Sequence, residues 1–418
     1  MDQPSVMIVG AGVGGLCLAQ GLKLSGVPVR VFEREASKTS RVAGYRLSLN
    51  AKGSRALHAC LPPETYERLT LSAGAPGRGL SILDHQLNRL LAFDFPHRDR
   101  RSVESEKPID RTVLRRVLLE GLDDLVAFRK TFVAFDDAPG GRVMARFADG
   151  TRETADLLIG ADGANSAVRH QLLPGAERVE TGILAVGGKL MLGDGRGKGV
   201  PDSLLNGPTP ILGPEGCFMF LSAVRYGDLE AVGGAEAGEG GDRGDYLLWG
   251  FSARRERFGE GGALERQSGD ELQRRVERLM PAWHPILRRI VDETHPATIT
   301  AFAIKSASPI KPWKTRNVTL MGDALHNMPP YRGVGANTAL WDAALLRTTI
   351  VERQGPLLER LKDAERRMID HGFRAVRASL AATAQFHSES RLGRLLTKAF
   401  LRVLDRAPPL RAALMGPN

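Results

Sequence analysis

A short apolar run, a knot of glycines and an acidic residue constrain the start of this chain more than any other feature. Val6-Met7-Ile8-Val9 has the character of a strand buried on both faces. Gly10-Ala11-Gly12-Val13-Gly14-Gly15 follows, then Leu16, Leu18, Ala19 and Leu22 in a helical pattern that Gly26 stops. Val29-Arg30-Val31-Phe32 reads as the next strand, closed by Glu33 and Arg34. Strand, helix and strand in that order form a parallel βαβ unit. Gly10 makes the turn, Gly12 lets backbone approach a pyrophosphate, Gly15 allows close helix packing, and Gly14 lies in the same cradle. Glu33 stands where an acidic side chain takes a ribose hydroxyl, with Arg34 beside it.

A second informative stretch runs from Arg316 to Asn337. Val318-Thr319-Leu320-Met321 reads as a buried strand ending in Gly322-Asp323. Pro329-Pro330-Tyr331-Arg332 stiffens the loop that follows, and Gly333-Val334-Gly335 turns into a helix beginning with Ala336 and Asn337. A carboxylate at the C-terminal end of a strand can hydrogen-bond a polyol. The helix start beyond it offers free N–H groups and a positive dipole end to an anion. A flavin needs both: its ribityl chain is a polyol, and its reduced ring is negative near N1 and the C2 oxygen.

Length and charge narrow the field. With 418 residues the chain can hold two lobes, and 42% hydrophobic with 25% charged residues is ordinary for a soluble protein. No apolar run approaches the ~18 residues of a membrane span, and the start lacks a signal peptide's features, so a cytoplasmic protein is expected. Cys17, Cys60 and Cys217 are scattered, with no spacing for zinc, an iron–sulfur cluster or a disulfide framework; no metal is expected. The net charge of +10 is spread among interleaved acids and bases rather than gathered in a tract. That argues against nucleic acid and for attraction of anionic dinucleotides.

Along the rest of the chain, residues 78 to 95 resemble a hairpin, and Asp110 caps a helix that opens with Arg111. Arg142 to Phe147, the Asp149-Gly150 turn and Ala155 to Ile159 read as another hairpin. It leads into Gly160-Ala161-Asp162-Gly163 and a capped helix through Ser166 and Arg169. Candidate strands follow at Ile183–Leu192, Cys217–Val224, Tyr246–Ser252 and Thr298–Ile304, with a mobile glycine-rich connection from Gly233 to Gly244. The remainder is helical and basic. The expected fold class is α/β: a Rossmann-like FAD-binding domain (1–75, 103–180 and 301–350), an inserted β-sheet substrate domain (76–102 and 181–300) and C-terminal helices (351–418).

The three separated signatures, Gly10 to Gly15 with Glu33, Asp162-Gly163 with Ser166 and Arg169, and Gly322-Asp323 with Pro329-Pro330 and Gly335, together resemble the single-component FAD-dependent aromatic hydroxylases. These have the p-hydroxybenzoate hydroxylase-like fold, which also includes tetracycline-inactivating monooxygenases. The resemblance covers roughly residues 5 to 350. It implies that Gly10, Gly12 and Gly15 line the FAD pyrophosphate, Glu33 binds the adenosine ribose and Asp323 the ribityl hydroxyls. Arg111 matches the family's helix arginine, which reaches toward the ribityl and phosphate region. Asp162 and Gly163 match the segment that holds FAD and accepts the nicotinamide cofactor. Arg41 could sit near the phosphates, and Arg46 on the strand beside the isoalloxazine; either could also be a surface charge. Pro330 would face the substrate side of the ring, and the N–H groups around Gly335, Ala336 and Asn337 would face N1 and the C2 oxygen. Arg332 and Val334 depart from the family's usual small residue and glutamine. Arg332 could bind an acidic substrate, orient NAD(P)H or face solvent.

The resemblance implies that NADPH or NADH reduces FAD, that O₂ adds at C4a, and that the hydroperoxide passes one oxygen to an aromatic or polyketide-like substrate. Tyr45, His326 and Tyr331 are candidates to assist a phenol's deprotonation, although His326 more simply fixes its loop. Trp249, Phe251, Phe218 and Phe220 are either sheet core or the wall of an apolar pocket. A monomer or homodimer is expected. Arg366, Arg367, Arg374 and Arg377 form a solvated helical face; a peripheral membrane role would need a strongly apolar opposite face. Among rival readings, a flavin-dependent halogenase would carry a WxWxIP segment, which is absent. A flavin reductase or dehydrogenase would avoid oxygen, and a silent FAD-binding protein would not be reduced by NAD(P)H.

Overall fold

A computed structural model describes residues 3–40, 46–95, 99, 101–193, 198–225, 244–259 and 263–407. The expected connection from Gly233 lies, up to residue 243, outside the described residues, as do Arg41 and Tyr45.

The predicted βαβ unit forms the middle of a five-stranded parallel sheet. Its strands run in the order Val318–Leu320, Leu157–Gly160, Val6–Val9, Val29–Phe32 and Val126–Ala127. Three of them read as unbroken apolar runs because helices cover one face and a small sheet the other. The helix Val13–Leu24 packs on this sheet and against the helix Gly335–Val351, which also meets Ala51–Cys60. All three strand-to-helix turns named from the sequence therefore emerge at the same, C-terminal edge of one sheet, where open α/β sheets bind their ligands.

A seven-stranded sheet stands beside it, in the order Thr300–Ala307, Arg178–Met191, Tyr246–Arg254, Phe218–Val224, Thr209–Leu212, Gly79–Asp84 and Arg89–Asp94. The four expected strands of the inserted module appear within a few residues of their predicted ends. The strand Thr209–Leu212 was not expected, since Pro210 obscures it. It pairs antiparallel with Phe218–Val224 and parallel with Gly79–Asp84, and so joins the 78–95 hairpin to the module.

The expected hairpin of 142 to 159 is corrected. Arg142–Phe147 pairs with Arg152–Ala155, and a third strand, Phe132–Ala138, completes that small sheet. Leu157–Gly160 instead leaves for the parallel sheet. Polarity explains the break: Arg152 to Ala155 keeps one wet face, whereas Leu157, Leu158 and Ile159 are buried on both. Asp156 marks the switch, its carboxylate accepting from the Ser5 N–H at 2.8 Å and the Ser5 hydroxyl at 2.7 Å.

After Val351 come the long helix Leu357–Phe386 and the helix Arg391–Arg406, which lies against the strand Arg89–Asp94.

Candidate functional site

One cavity of about 970 Å³ runs between the two large sheets. Gly10, Gly12, Gly14, Gly15, Glu33, Arg34, Arg46, Arg111, Asp162, Gly163, Gly322, Asp323, Pro330, Tyr331, Arg332, Gly335, Ala336 and Asn337 all line it. Of the candidate residues predicted from sequence, Arg41 and Tyr45 lie outside the described residues.

The glycines divide by what surrounds them. Gly10 has φ +110°, and a Cβ there would stand 2.4 Å from the Ala161 carbonyl oxygen. A Cβ on Gly15 would meet the Gly10 carbonyl oxygen at 2.3 Å. These two hold strand and helix together. Gly12 differs, because a Cβ there would meet nothing within 4 Å. It caps the helix Val13–Leu24 without any side-chain bond, so the first N–H groups of that helix face open space. Gly335–Val351 likewise begins without a side-chain cap, at the other glycine turn. Two uncapped helix starts opening on one cavity form a site for a ligand with two separated anionic regions.

Several polar atoms on the cavity wall lack hydrogen-bond partners among the described residues. Asp162 Oδ2 accepts from the N–H groups of Ala167 (2.8 Å) and Val168 (3.3 Å), but its buried Oδ1 accepts from nothing. Burial pushes the Asp162 carboxyl above the ordinary carboxylate range, against the pull of its Ser166 and backbone hydrogen bonds. Asp323, in the first turn after Gly322, makes no hydrogen bond among the described residues. Arg46 is almost wholly buried, with its Nη2 3.7 Å from Glu106 and its Nε without a partner. Burial lowers its pKa, and Glu106 opposes that effect. Unsatisfied buried groups are rare in a finished fold, and two of them, Asp162 Oδ1 and Arg46 Nε, belong to residues that line this cavity. Acceptors at Asp162 and Asp323, a donor at Arg46 and two helix starts match the hydroxyls, ring edge and phosphates of FAD.

Other predicted residues also make contacts within the chain. Glu33 accepts from the Ala11 N–H at 2.7 Å and the Glu35 N–H at 3.0 Å, so it ties the glycine loop as well as facing the cavity. The Asn337 side chain is a strut: it accepts from the Asn50 N–H at 2.9 Å and donates to the Ser48 carbonyl at 2.8 Å. Only its backbone is left to serve the helix start. Phe218 and Phe220 line the cavity, while Trp249 and Phe251 pack among the helices Gly269–Arg278 and Pro285–Asp292. The two readings of the aromatics overlap, since Trp249 also lines the cavity and Phe218 is also buried in a core cluster.

His326 fixes its loop. It is wholly buried, 2.7 Å from Asp342 Oδ2, and that same oxygen accepts from the Gly322 N–H at 2.8 Å. Burial works against charge on the ring, but Asp342 prevails and raises the His326 pKa.

Some residues of the site were not found from the sequence. Arg115, one turn beyond Arg111, is buried and donates to the carbonyls of Ala11 (3.0 Å) and Lys38 (2.8 Å), holding the glycine loop from behind. Its helical spacing from Arg111 was the available signal. Arg169, named from the sequence as part of the second signature but without this role, donates to the carbonyls of Ala324 and Ala164, each at 2.9 Å, and so links the second and third signatures. His387, Ser252 and Tyr331 meet at the aromatic end of the cavity, and no local pattern marks His387. Its Nδ1–H donates to the Thr383 carbonyl at 2.8 Å, which leaves Nε2 to accept from the Ser252 hydroxyl at 2.9 Å and, more weakly, from Tyr331 at 3.4 Å. Burial lowers the His387 pKa to about 4 and raises that of Tyr331.

Neutral burial of His387 has a consequence for acid stability. Its folded pKa lies below the ordinary 6.5, so the unfolded chain binds more protons and stability falls as pH drops from 6.5 toward about 4. Thermal denaturation of wild type and His387→Gln should diverge in slope across that window; parallel curves would exclude the histidine as the cause.

A flavin-sized cleft at the C-terminal edge of a parallel sheet, walled by a second sheet, defines the class, and comparison with known proteins agrees. Residues 252–356 match the family model described as FAD binding domain. The chain is 29% identical over 378 residues to the dual O-methyltransferase/FAD-dependent monooxygenase CTB3 of Cercospora beticola, covering 84% of this chain and 42% of that protein. It thus spans about two fifths of the length of the curated relatives it first matches. It is 25% identical to 6-hydroxynicotinate 3-monooxygenase of Pseudomonas fluorescens, covering 84% of this chain and 83% of the relative. An FAD containing monooxygenase structure from Photorhabdus luminescens superposes with TM-score 0.79 at 29% identity, over 91% of this chain and 98% of that one. Klebsiella pneumoniae HpxO, complexed with FAD and uric acid, shares the fold with TM-score 0.77 at 22% identity, over 95% and 92% of the two chains. The resemblance to single-component FAD-dependent hydroxylases is borne out. The chain has the α/β fold of these FAD-dependent enzymes, and the match to the FAD binding domain model supports FAD binding.

Proposed function

We propose that the chain is an FAD-dependent monooxygenase that uses NADPH or NADH and O₂ to place one oxygen atom on an aromatic or polyketide-like small molecule, by hydroxylation, epoxidation or Baeyer–Villiger insertion. The observation that carries this reading is the continuity of one cavity from the Gly12 helix start, past Asp162 and Asp323, to an end walled by Phe218, Phe220 and Tyr331. In this reading FAD occupies the lobe built from residues 1–75, 103–180 and 301–350. Substrate occupies the side built from 76–102 and 181–300.

Bound FAD supplies electron transfer from the nicotinamide and activation of oxygen. The chain's own residues bind, orient and shield. The N–H groups at Gly12 and Gly335 receive negative charge, Asp323 and Asp162 Oδ1 accept hydroxyl protons, and Arg111 and Arg34 add positive charge. Arg46 offers an unpaired N–H in a dry place, where it is strongest. Tyr331, kept neutral by burial, holds its proton on Oη and can share it with His387 Nε2 or with a ligand oxygen. Phe218 and Phe220 exclude water and offer ring faces to a flat substrate. Arg332, exposed at the cavity rim, suits an anionic substrate or the incoming nicotinamide dinucleotide. The names of relatives, 6-hydroxynicotinate 3-monooxygenase and urate hydroxylase among them, support a small aromatic substrate class.

Stopped-flow reduction by each nicotinamide cofactor, with O₂ uptake and product mass measured on candidate aromatic acids and phenols, tests the reaction. Substrate-stimulated uptake with one added oxygen atom is expected. Flavin reduction that never yields an oxygenated product would favour the reductase reading instead. Asp323→Ala should weaken FAD retention on the order of tenfold, since hydrogen bonds to a charged group contribute about 1.5–3 kcal/mol. Undiminished flavin content after gel filtration of that variant would sink the ribityl assignment.

A further inference from the structure

Ten large apolar side chains are prominently exposed among the described residues, and five of them lie on the helix Arg391–Arg406. Leu392, Leu395, Leu396, Phe400 and Val403 are 67%, 65%, 61%, 52% and 53% exposed. Scattered exposed leucines are normal, but a row of them is not. Their spacing places all five on one face of the helix. Arg391, Arg394, Lys398 and Arg402 follow the same spacing one step round the helix, and Arg406 continues on that side.

The helix is not a loose element awaiting its place in the core. Leu404 is buried, and Leu401 packs with Leu90, Leu212 and Phe218. Asp405 accepts from the Ala92 N–H at 3.0 Å and pairs with Arg89 at 2.9 Å. One side is therefore docked on the strand Arg89–Asp94 and the apolar row is turned away from it. The flanking cations are only partly neutralised, Lys398 being half-buried and attracted to Asp84. Arg402 reaches Asp84 only at 3.8 Å and Arg394 donates to the Ser388 carbonyl, while Arg391 and Arg406 have no partner among the described residues.

We propose that this helix lies in the surface of an anionic phospholipid bilayer, with its leucine and phenylalanine row among the acyl chains and its arginines at the headgroups. An apolar face bordered by cations is the pattern of helices that rest in the membrane interface, where hydrophobic burial and attraction to anionic lipid act together. A chain with net charge +10 is drawn to such a surface as a whole. A second copy suits the face less well, because a two-fold contact between the apolar rows would bring two sets of these cations together. No helix among the described residues is long and apolar enough to cross a membrane, and the contact proposed here is made by one face of a helix lying in the interface. The same helix backs the aromatic end of the cavity through Leu401 and Phe218, so attachment would hold that end near the bilayer.

Flotation of the full chain with vesicles tests this without reference to activity. The protein should float with vesicles of phosphatidylcholine and phosphatidylglycerol in equal parts, less with phosphatidylcholine alone, and less at high salt. The double variant Leu396→Glu/Phe400→Glu should lower the partition coefficient about tenfold or more. Its circular dichroism and FAD content should be unchanged, because both side chains already face outward. Arg391→Glu/Arg406→Glu should weaken binding to the anionic vesicles alone. Wild-type protein that stays in the aqueous fraction with both vesicles, or a Leu396→Glu/Phe400→Glu variant that floats equally well, would overturn the proposal. So would a stable dimer in light scattering that Leu396→Glu dissociates, since a second copy would then cover the row.

Discussion

Gly12→Val should give a folded, colourless protein. The position separates fold from ligand because a Cβ at Gly12 meets no atom of the chain within 4 Å, yet points into the cavity before the uncapped start of the helix Val13–Leu24. The variant side chain would occupy the approach through which a pyrophosphate reaches those N–H groups. Loss of FAD affinity on the order of a hundredfold, or about 2.7 kcal/mol, is expected. Apoprotein stability should change little. The contrast is Gly10→Ala, where positive φ and a backbone oxygen 2.4 Å away strain the fold itself. Measured flavin content and apoprotein melting temperature should therefore move independently: the first in Gly12→Val, both in Gly10→Ala. A yellow Gly12→Val protein with ordinary flavin content would remove the glycine cradle from the site.

Asp342→Ala should destabilise the protein by about 3–5 kcal/mol, the cost of stripping one partner from a buried ion pair. Asp342 and His326 are both wholly buried, and Asp342 Oδ2 also takes the N–H of Gly322, the residue that aims Asp323. The variant leaves His326 and that N–H without acceptors, and flavin retention should fall along with stability. The pH dependence carries a definite sign. The folded pKa of His326 is raised above 6.5, so its contribution is complete below that value and is lost as pH rises through the folded pKa. Wild-type stability should thus decline as pH rises above 6.5 while Asp342→Ala declines less. Together with the opposite effect of His387 below 6.5, this places the stability maximum between the two titrations. Denaturant unfolding at stepped pH checks both arms, and a variant curve parallel to wild type above neutrality would remove His326 from the account. Gly372 gives an independent check on the same contact. A Cβ there would stand 2.2 Å from the His326 ring, so Gly372→Ala should also lower the midpoint.

Motifs whose chemistry lies within a few consecutive residues were legible from the amino-acid order. Gly10 to Gly15, Asp162-Gly163 and Gly322-Asp323 each comprise a strand end, a turn and a helix start, which are local conformations set by glycine φ, apolar runs and capping residues. Their common purpose was implied by the resemblance to FAD-dependent hydroxylases, and the parallel sheet brings all three strand-to-helix turns to one edge. Contacts between distant segments were not legible in this way. Nothing near Arg115 says that its guanidinium will hold the Ala11 carbonyl, and nothing near His387 says that it will face Ser252 across a helix end and a sheet. The switch of Leu157–Gly160 between sheets and the pairing of Thr209–Leu212 are likewise choices of partner, and strand sequences specify a buried face better than a neighbour.

The basic final helices show the division most clearly. Sequence alone determined that the chain beyond residue 350 is helical and basic, because propensity and composition are properties of single elements. Only tertiary structure decided that Leu404, Leu401 and Asp405 dock it on the Arg89–Asp94 strand while the row from Leu392 to Val403 is left outside. Which face of an amphipathic helix is covered depends on what the rest of the chain brings to it, and that is fixed by packing and not by pattern.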